Sequence, residues 1–180
     1  KIDSINQVPI NNKVGLSFEL VLKNILRQDP DIIFIGEIRD KFSLDIALQA
    51  SLTGHLVLAS IHASSSVETI TRLIDLKADP FLISTTLKAV MAQRLVLAHC
   101  KSCENGCKKC NFTKFYDRTS ISEILKVDEQ ISSLIFNKAS FNELKEYLKS
   151  INFKTILDDG KQKVKDGLTT LEEVYKVVNY

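Results

Sequence analysis

Two short runs of branched apolar residues limit the folds open to this chain more than any other feature. The first, "DIIFIGEIRD", occupies positions 31–40, and the second, "HLVLASIHASSS", positions 55–66. The apolar part of the first run, 31–37, is too short for a helix and is expected to be a strand buried on both faces. "HLVLASI" reads as a second buried strand. Between them "DKFSLDIALQASLT" (40–53) sets Phe42, Ile46, Ala47 and Ala50 on one helical face, with Gly54 suited to ending the helix. Strand, helix and strand in about thirty residues make a βαβ unit, which predicts parallel strands joined by a right-handed crossover.

The flanking segments extend this pattern. "LSFELVLKNILRQ" is an amphipathic helix that must stop before Asp29-Pro30, because proline disfavours helical geometry in the residue before it. "SVETITRLIDLKA" predicts another helix with Ser66 as its N-cap. Pro80 can open the next helix, expected to end near Met91, and "QRLVLA" reads as a strand. Residues 1–98 therefore look like part of an α/β sheet domain. A tetracysteine element is expected over 99–118, followed by a mainly helical tail over 119–180 that begins with "ISEILKV". In that tail, Ser140 with Glu143 and Thr170 with Glu173 match the reciprocal capping pattern and place helix starts near 141 and 171. Ile156, Val164 and Leu168 suit a further helix near the turn at Gly167.

At 44% hydrophobic residues the chain can build a sizeable core, and its net charge of +2 selects no class of partner. No apolar run approaches the ~20 residues that span a bilayer. The chain opens on Lys1 in mid-pattern, without a signal-peptide arrangement, and reads as a piece of a longer protein. All four cysteines fall within "CKSCENGCKKC", which suggests a metal held in a reducing compartment and not a disulfide framework.

Several residues carry candidate chemistry. In open parallel sheets ligands bind beyond the carboxyl ends of the strands, and Glu37 stands at such an end beside Gly36. A carboxylate there can hold magnesium through water or position a water against a phosphate, and a glycine lets a phosphate group come close. It can equally be a solvated residue at a strand exit. His62 ends the second strand in the same way and can donate to a γ-phosphate, or simply cap the surface. No role follows for His55 at the opposite end of that strand. Arg27, Arg39, Arg72 and Arg94 can each meet phosphate oxygens, or form ion pairs such as Arg39 with Asp40 or Asp29. Cys100, Cys103, Cys107 and Cys110 form C-x2-C-x3-C-x2-C, which suits tetrahedral zinc or, given the short gap, an iron–sulfur cluster. No G-x4-G-K-[ST] loop is present; Gly160-Lys161 is followed by Gln162.

Taken together, "LRQDPDIIFIGEIRD", "ALQASLTGHLVLASIHASSS", "ITRLIDLKADPFLISTTLKAVMAQRLV" and "GLTTLEEVYKVV" closely resemble the secretion ATPases of type II secretion, type IV pilus assembly and competence systems. The resemblance covers virtually the whole chain in order and corresponds to the C-terminal half of that family. It implies an α/β fold: the C-terminal part of a RecA-like P-loop ATPase domain with a zinc-stapled, mainly helical C-terminal subdomain. It implies ATP hydrolysis with Mg2+ in a homo-hexameric ring that drives secretion or pilus assembly.

The family's P-loop would lie upstream of Lys1, so the resemblance implies truncation and little activity of this piece alone. "DIIFIGEIRD" looks like the family's atypical Walker B, which gives Glu37 a role in placing magnesium and the attacking water. "HLVLASIH" looks like its histidine box, which gives His62 a γ-phosphate-sensing role, although "ASSS" departs from the usual residues after the histidine. Arg94 falls in a motif near the nucleotide, and Arg27 and Arg39 fall where arginines face the subunit interface. The four cysteines match members that carry Zn2+, with a shorter spacer of Glu104, Asn105 and Gly106; Asp117 replaces the glycine before Arg118. The resemblance further implies an inner-membrane platform protein as partner, a cytoplasmic location peripheral to that membrane, and no direct nucleic-acid partner. The alternatives are a zinc-stapled, non-catalytic interaction module and a related retraction or DNA-uptake motor.

Overall fold

The computed structural model describes residues 2–178. Ser17 caps the first helix, α1 (Phe18–Ile25), by accepting a hydrogen bond from the Leu20 amide at 3.2 Å. A short 3-10 turn, Leu26–Gln28, then carries the chain to Asp29, whose positive φ of 49° ends the helical path one residue before Pro30. Strand β1 (Ile32–Ile35), helix α2 (Lys41–Leu52) and strand β2 (Leu56–Ala59) follow, and the two strands pair in parallel with Ile32 opposite Leu56 and Ile35 opposite Ala59. Asp40 caps α2 through Ser43, and Gly54 takes the positive φ of 99° that reverses the chain after it.

Strand β1 is buried on one face only, and β2 is largely open, with Val57 half-buried. Ile33 and Ile35 are buried, whereas Phe34 is 71% exposed and Ile32, Leu56 and Leu58 are also open. The expectation of strands buried on both faces is thus corrected. A parallel strand needs a layer on each side, and among the described residues only one layer is supplied, with α2 packed against it.

Helix α3 (Ser66–Asp75) begins one residue earlier in its cap than expected. Ser65, not Ser66, is the N-cap, accepting from the Glu68 amide at 3.1 Å. Helix α4 (Pro80–Thr86) also stops short of Met91. The Thr85 and Thr86 hydroxyls bond back to carbonyls one turn earlier, and Leu87 is extended. Met91 lies instead in β3 (Ala89–His99), an eleven-residue strand whose partner is β4 (Phe115–Lys126), antiparallel, with Ala92 opposite Glu123 and Arg94 opposite Ile121. "ISEILKV" is therefore mostly strand and not the start of a helix. Its residues alternate, with Ile121, Glu123 and Leu125 inward and Ile124 outward.

The tail helices are α5 (Glu129–Phe136), α6 (Phe141–Ser150), α7 (Ile156–Lys165) and α8 (Leu171–Val178). Ser140 and Glu143 form the expected reciprocal cap, and Ser140 holds the Glu143 carboxyl below the ordinary range. Thr170 accepts from the Glu173 amide at the start of α8. A principal core joins Leu44, Ile70 and Ile83 with Leu125, Ile135 and Leu144, so α5 and α6 share it with the βαβ unit. Val96 and Ile121 on the hairpin form a smaller core with Ile156 and Val174 on α7 and α8.

The α7–α8 contact leaves no room at Gly160. A Cβ there would stand 2.5 Å from a methyl of Val174, which is fully buried and stiff at χ1. Gly160→Ala is expected to lower unfolding stability by about 1–3 kcal/mol through overpacking. Combining it with Val174→Ala should cost less than the sum of the two single changes. Additive losses in denaturant titrations would contradict this packing.

Candidate functional site

Parallel pairing brings two strand ends to one level. Beyond the strands the ladder continues: the Ser60 amide donates to Ile35 O at 3.3 Å and the Ile38 amide to Ser60 O at 2.8 Å. The Ser60 hydroxyl donates to the Gly36 carbonyl. These bonds fix the turn at Gly36-Glu37 beside the exit of β2. Glu37 Oε1 then lies 2.7 Å from His62 Nε2, and its other oxygen accepts from Arg39 Nε. The Glu37 side chain is mostly covered, at 18% exposure, while His62 is 84% exposed. A carboxylate is thus held still beside an imidazole that stands in solvent.

Gly36 is exposed, and a Cβ built on it would meet nothing within 4 Å. Packing within the described chain does not require glycine there. Arg39 pairs with Glu37, not with Asp40 or Asp29; Asp40 is engaged in capping α2. Arg27 lies exposed on the turn after α1 and joins none of these bonds among the described residues. His55 has a local task, with Nδ1 2.9 Å from Ala50 O at the end of α2.

Arg94 reaches the loop behind His62. Its guanidinium donates to the carbonyls of Ser64 at 3.2 Å and Ala63 at 3.4 Å. Two acidic residues absent from the sequence expectations act on the same loop. Glu68 accepts from the Ser64 amide at 2.7 Å, and buried Glu123 accepts from the Ser66 amide and hydroxyl, both at 2.7 Å. "SSVE" over 65–68 carries a readable capping signal for Glu68. No comparable local signal marks Glu123 beyond an acid at an inward strand position.

The four cysteines meet at the tip of the β3–β4 hairpin. Their sulfurs all lie within 4.8 Å of one another. Cys100 and Cys107 are 4.0 Å apart, Cys107 and Cys110 3.9 Å, and Cys103 and Cys110 3.6 Å. A tetrahedron of thiolates at the usual zinc–sulfur bond length has edges of about 3.8 Å, so the donor set fits one such ion. The Cys107 amide donates to Cys110 Sγ at 3.2 Å, the kind of supporting bond that orients a ligand. Lost hydration, with neighbouring thiols adding to it, pushes the Cys103 thiol up to about 12. The Cys107 amide draws the Cys110 thiol down to about 6. Gly106 is required here: its φ is +101°, and a Cβ would fall 2.9 Å from the Phe112 carbonyl oxygen. Among the described residues no helix is long and apolar enough to cross a membrane.

A family model described as "Type II/IV secretion system protein" matches residues 1–176. The type II secretion system protein HxcR of Pseudomonas aeruginosa is 40% identical, over 98% of this chain and 39% of its own length. The type II secretion system ATPase E of Vibrio cholerae is 39% identical, over 98% of this chain and 40% of its own. The chain therefore spans about two fifths of the length of these relatives. The solved pilus retraction motor PilT with bound ADP superposes with a TM-score of 0.72 at 28% identity, covering 91% of this chain and 44% of that one.

Proposed function

The chain belongs to the type II/IV secretion system protein family, and on that footing we propose that it supplies half of an ATP-hydrolysing site in a secretion or pilus-assembly motor. The observation that carries the reading is the Glu37–His62 pair, 2.7 Å apart at the carboxyl ends of two parallel strands. Ligands of open parallel sheets gather at that edge. Glu37 would orient the attacking water and draw off its proton as the bond to phosphorus forms. His62, exposed and tethered to Glu37, would donate to the γ-phosphate and so give up its contact with Glu37. The loop 63–65 behind it would carry the difference between triphosphate and diphosphate to α3. Magnesium, when bound, would neutralise phosphate charge, and the Glu37 carboxylate beside open Gly36 is the group here suited to hold it.

Arg94 supports this reading by bracing the histidine loop through its carbonyls, and we assign it that role near the nucleotide. Exposed Arg27, and Arg39 with its side chain 78% exposed, are suited to meet a neighbouring subunit of a homo-hexamer. The wider machine would include an inner-membrane platform protein, with the motor peripheral to the cytoplasmic face. A secretion or assembly motor is the reading we favour, because type II secretion and pilus-assembly proteins match at 38–40% over 97–98% of the chain. We further propose that the four cysteines hold zinc. Their mutual spacing suits thiolates around one atom better than thiolates spread over a multi-iron cluster.

In the full-length parent protein, Glu37→Gln is expected to lower kcat for ATP hydrolysis by about 10²–10⁴-fold with nucleotide binding retained. Hydrolysis at the wild-type rate would refute the role given to Glu37. For the metal, elemental analysis of protein purified without chelator should return one zinc per chain, and Cys107→Ser should reduce it. An iron-rich brown preparation would refute zinc.

A further inference from the structure

Helix α3 begins directly behind the histidine loop, and its start is held by a residue from a distant strand. Glu123 lies on β4, and only 6% of it is exposed. Oxygen Oε1 accepts from both the amide and the hydroxyl of Ser66, the first residue of α3. Oxygen Oε2 accepts from the amide of Ile156, the first residue of α7, at 3.0 Å. One buried carboxylate therefore satisfies the leading N–H groups of two helices, each ten residues long. Both helices aim leading N–H groups at that point, so the carboxylate's acceptors are met by donors away from water. Arg94 sits on the same inward face of the hairpin. Ala92 is opposite Glu123 and Arg94 opposite Ile121, so the two charged side chains are diagonal neighbours. Glu123 grips the loop from the α3 end, and Arg94 grips its carbonyls at Ala63 and Ser64.

We propose that Glu123 is a positioning residue for the histidine loop, clamping it to α7 so that loop movement and the C-terminal helices are mechanically joined. A change of loop position at His62 must either carry the carboxylate, and with it the start of α7, or break hydrogen bonds to a buried charge. The second course leaves that charge without partners in a poorly hydrated place, which is unfavourable. Moving the clamp as one body is the easier response. The proposal rests on the reading that His62 senses the γ-phosphate, but the clamp can be tested apart from it.

The variant is Glu123→Gln in the full-length parent, which keeps size and shape but can accept at only one oxygen. Two readouts are taken on the same preparation. Hydrogen exchange is expected to rise about tenfold or more in the segments around 62–66 and 155–157, with the cores of α5 and α6 unchanged. ATPase kinetics are expected to show kcat lower by about ten- to a hundredfold, with the KM for ATP moved by less than about threefold. Ser66→Ala, which removes one donor and keeps the backbone amide, should reproduce a smaller rise at 62–66. It decides the matter if the Gln variant does not fold. Exchange unchanged at 62–66, or raised equally throughout the chain, would overturn the clamp. So would a loss expressed in KM alone. Wild-type protein that hydrolyses no ATP would instead refute the proposed function, and the exchange pattern would still judge Glu123.

Discussion

The parallel pairing of β1 with β2 is the constraint from which the candidate site follows. Its register sets Ile35 beside Ala59 and continues through Ser60, so Glu37 and His62 leave the sheet at the same edge and meet at 2.7 Å. A slip by one residue would turn every side chain of the strand to the opposite face. Buried Ile33 and Ile35 resist such a slip because their partners lie in the core beneath. Apolar burial on one face of the four-residue strand β1 thus decides where two polar groups stand.

The second organising element is the β3–β4 hairpin. Its inward face is not purely apolar, since Arg94 and Glu123 stand among Val90, Val96, Ile121 and Leu125. Charged groups in such positions are unfavourable unless fully hydrogen-bonded. Glu123 meets that condition by accepting from the first amides of two helices, and Arg94 by donating to loop carbonyls. The outer end of the same hairpin carries the four cysteines, its middle packs against α7 and α8, and its base joins the principal core through Val90 and Leu125. One ribbon therefore touches the histidine loop, the cysteine cluster and the tail helices. Under the proposed function, that arrangement would give the motor a route from nucleotide state to domain movement.

The legible parts of this architecture are the local ones. The βαβ unit was readable because its apolar runs are uninterrupted and a segment of helical length, closed by Gly54, lies between them. The cap at Ser140 needs only residues three apart, and the sequence states it outright. The cysteine cluster was equally plain, its spacing alone bringing four thiols together. What failed was non-local or degenerate. Three consecutive serines over 64–66 can each cap a helix, so the choice of Ser65 depended on the buried partner that Ser66 finds elsewhere. In "ISEILKV" the acid at 123 breaks the apolar alternation, and the segment fits helical spacing until its pairing with β3 is known. Glu123 itself acts across 57 positions to Ser66 and 33 to Ile156, separations that no local pattern reports. The exposure of β1 on one face and of most of β2 likewise depends on which layers surround the sheet, and a strand's own residues do not specify that.

The central claim is that the Glu37–His62 contact is where the nucleotide's γ-phosphate is read. It is tested most directly by following the His62 ring nitrogen resonances in the full-length protein, with magnesium and either ADP or a non-hydrolysable ATP analogue. The account predicts that the analogue shifts them, as His62 trades its carboxylate partner for phosphate, while ADP leaves them near their nucleotide-free positions. Identical spectra with the two nucleotides would contradict it.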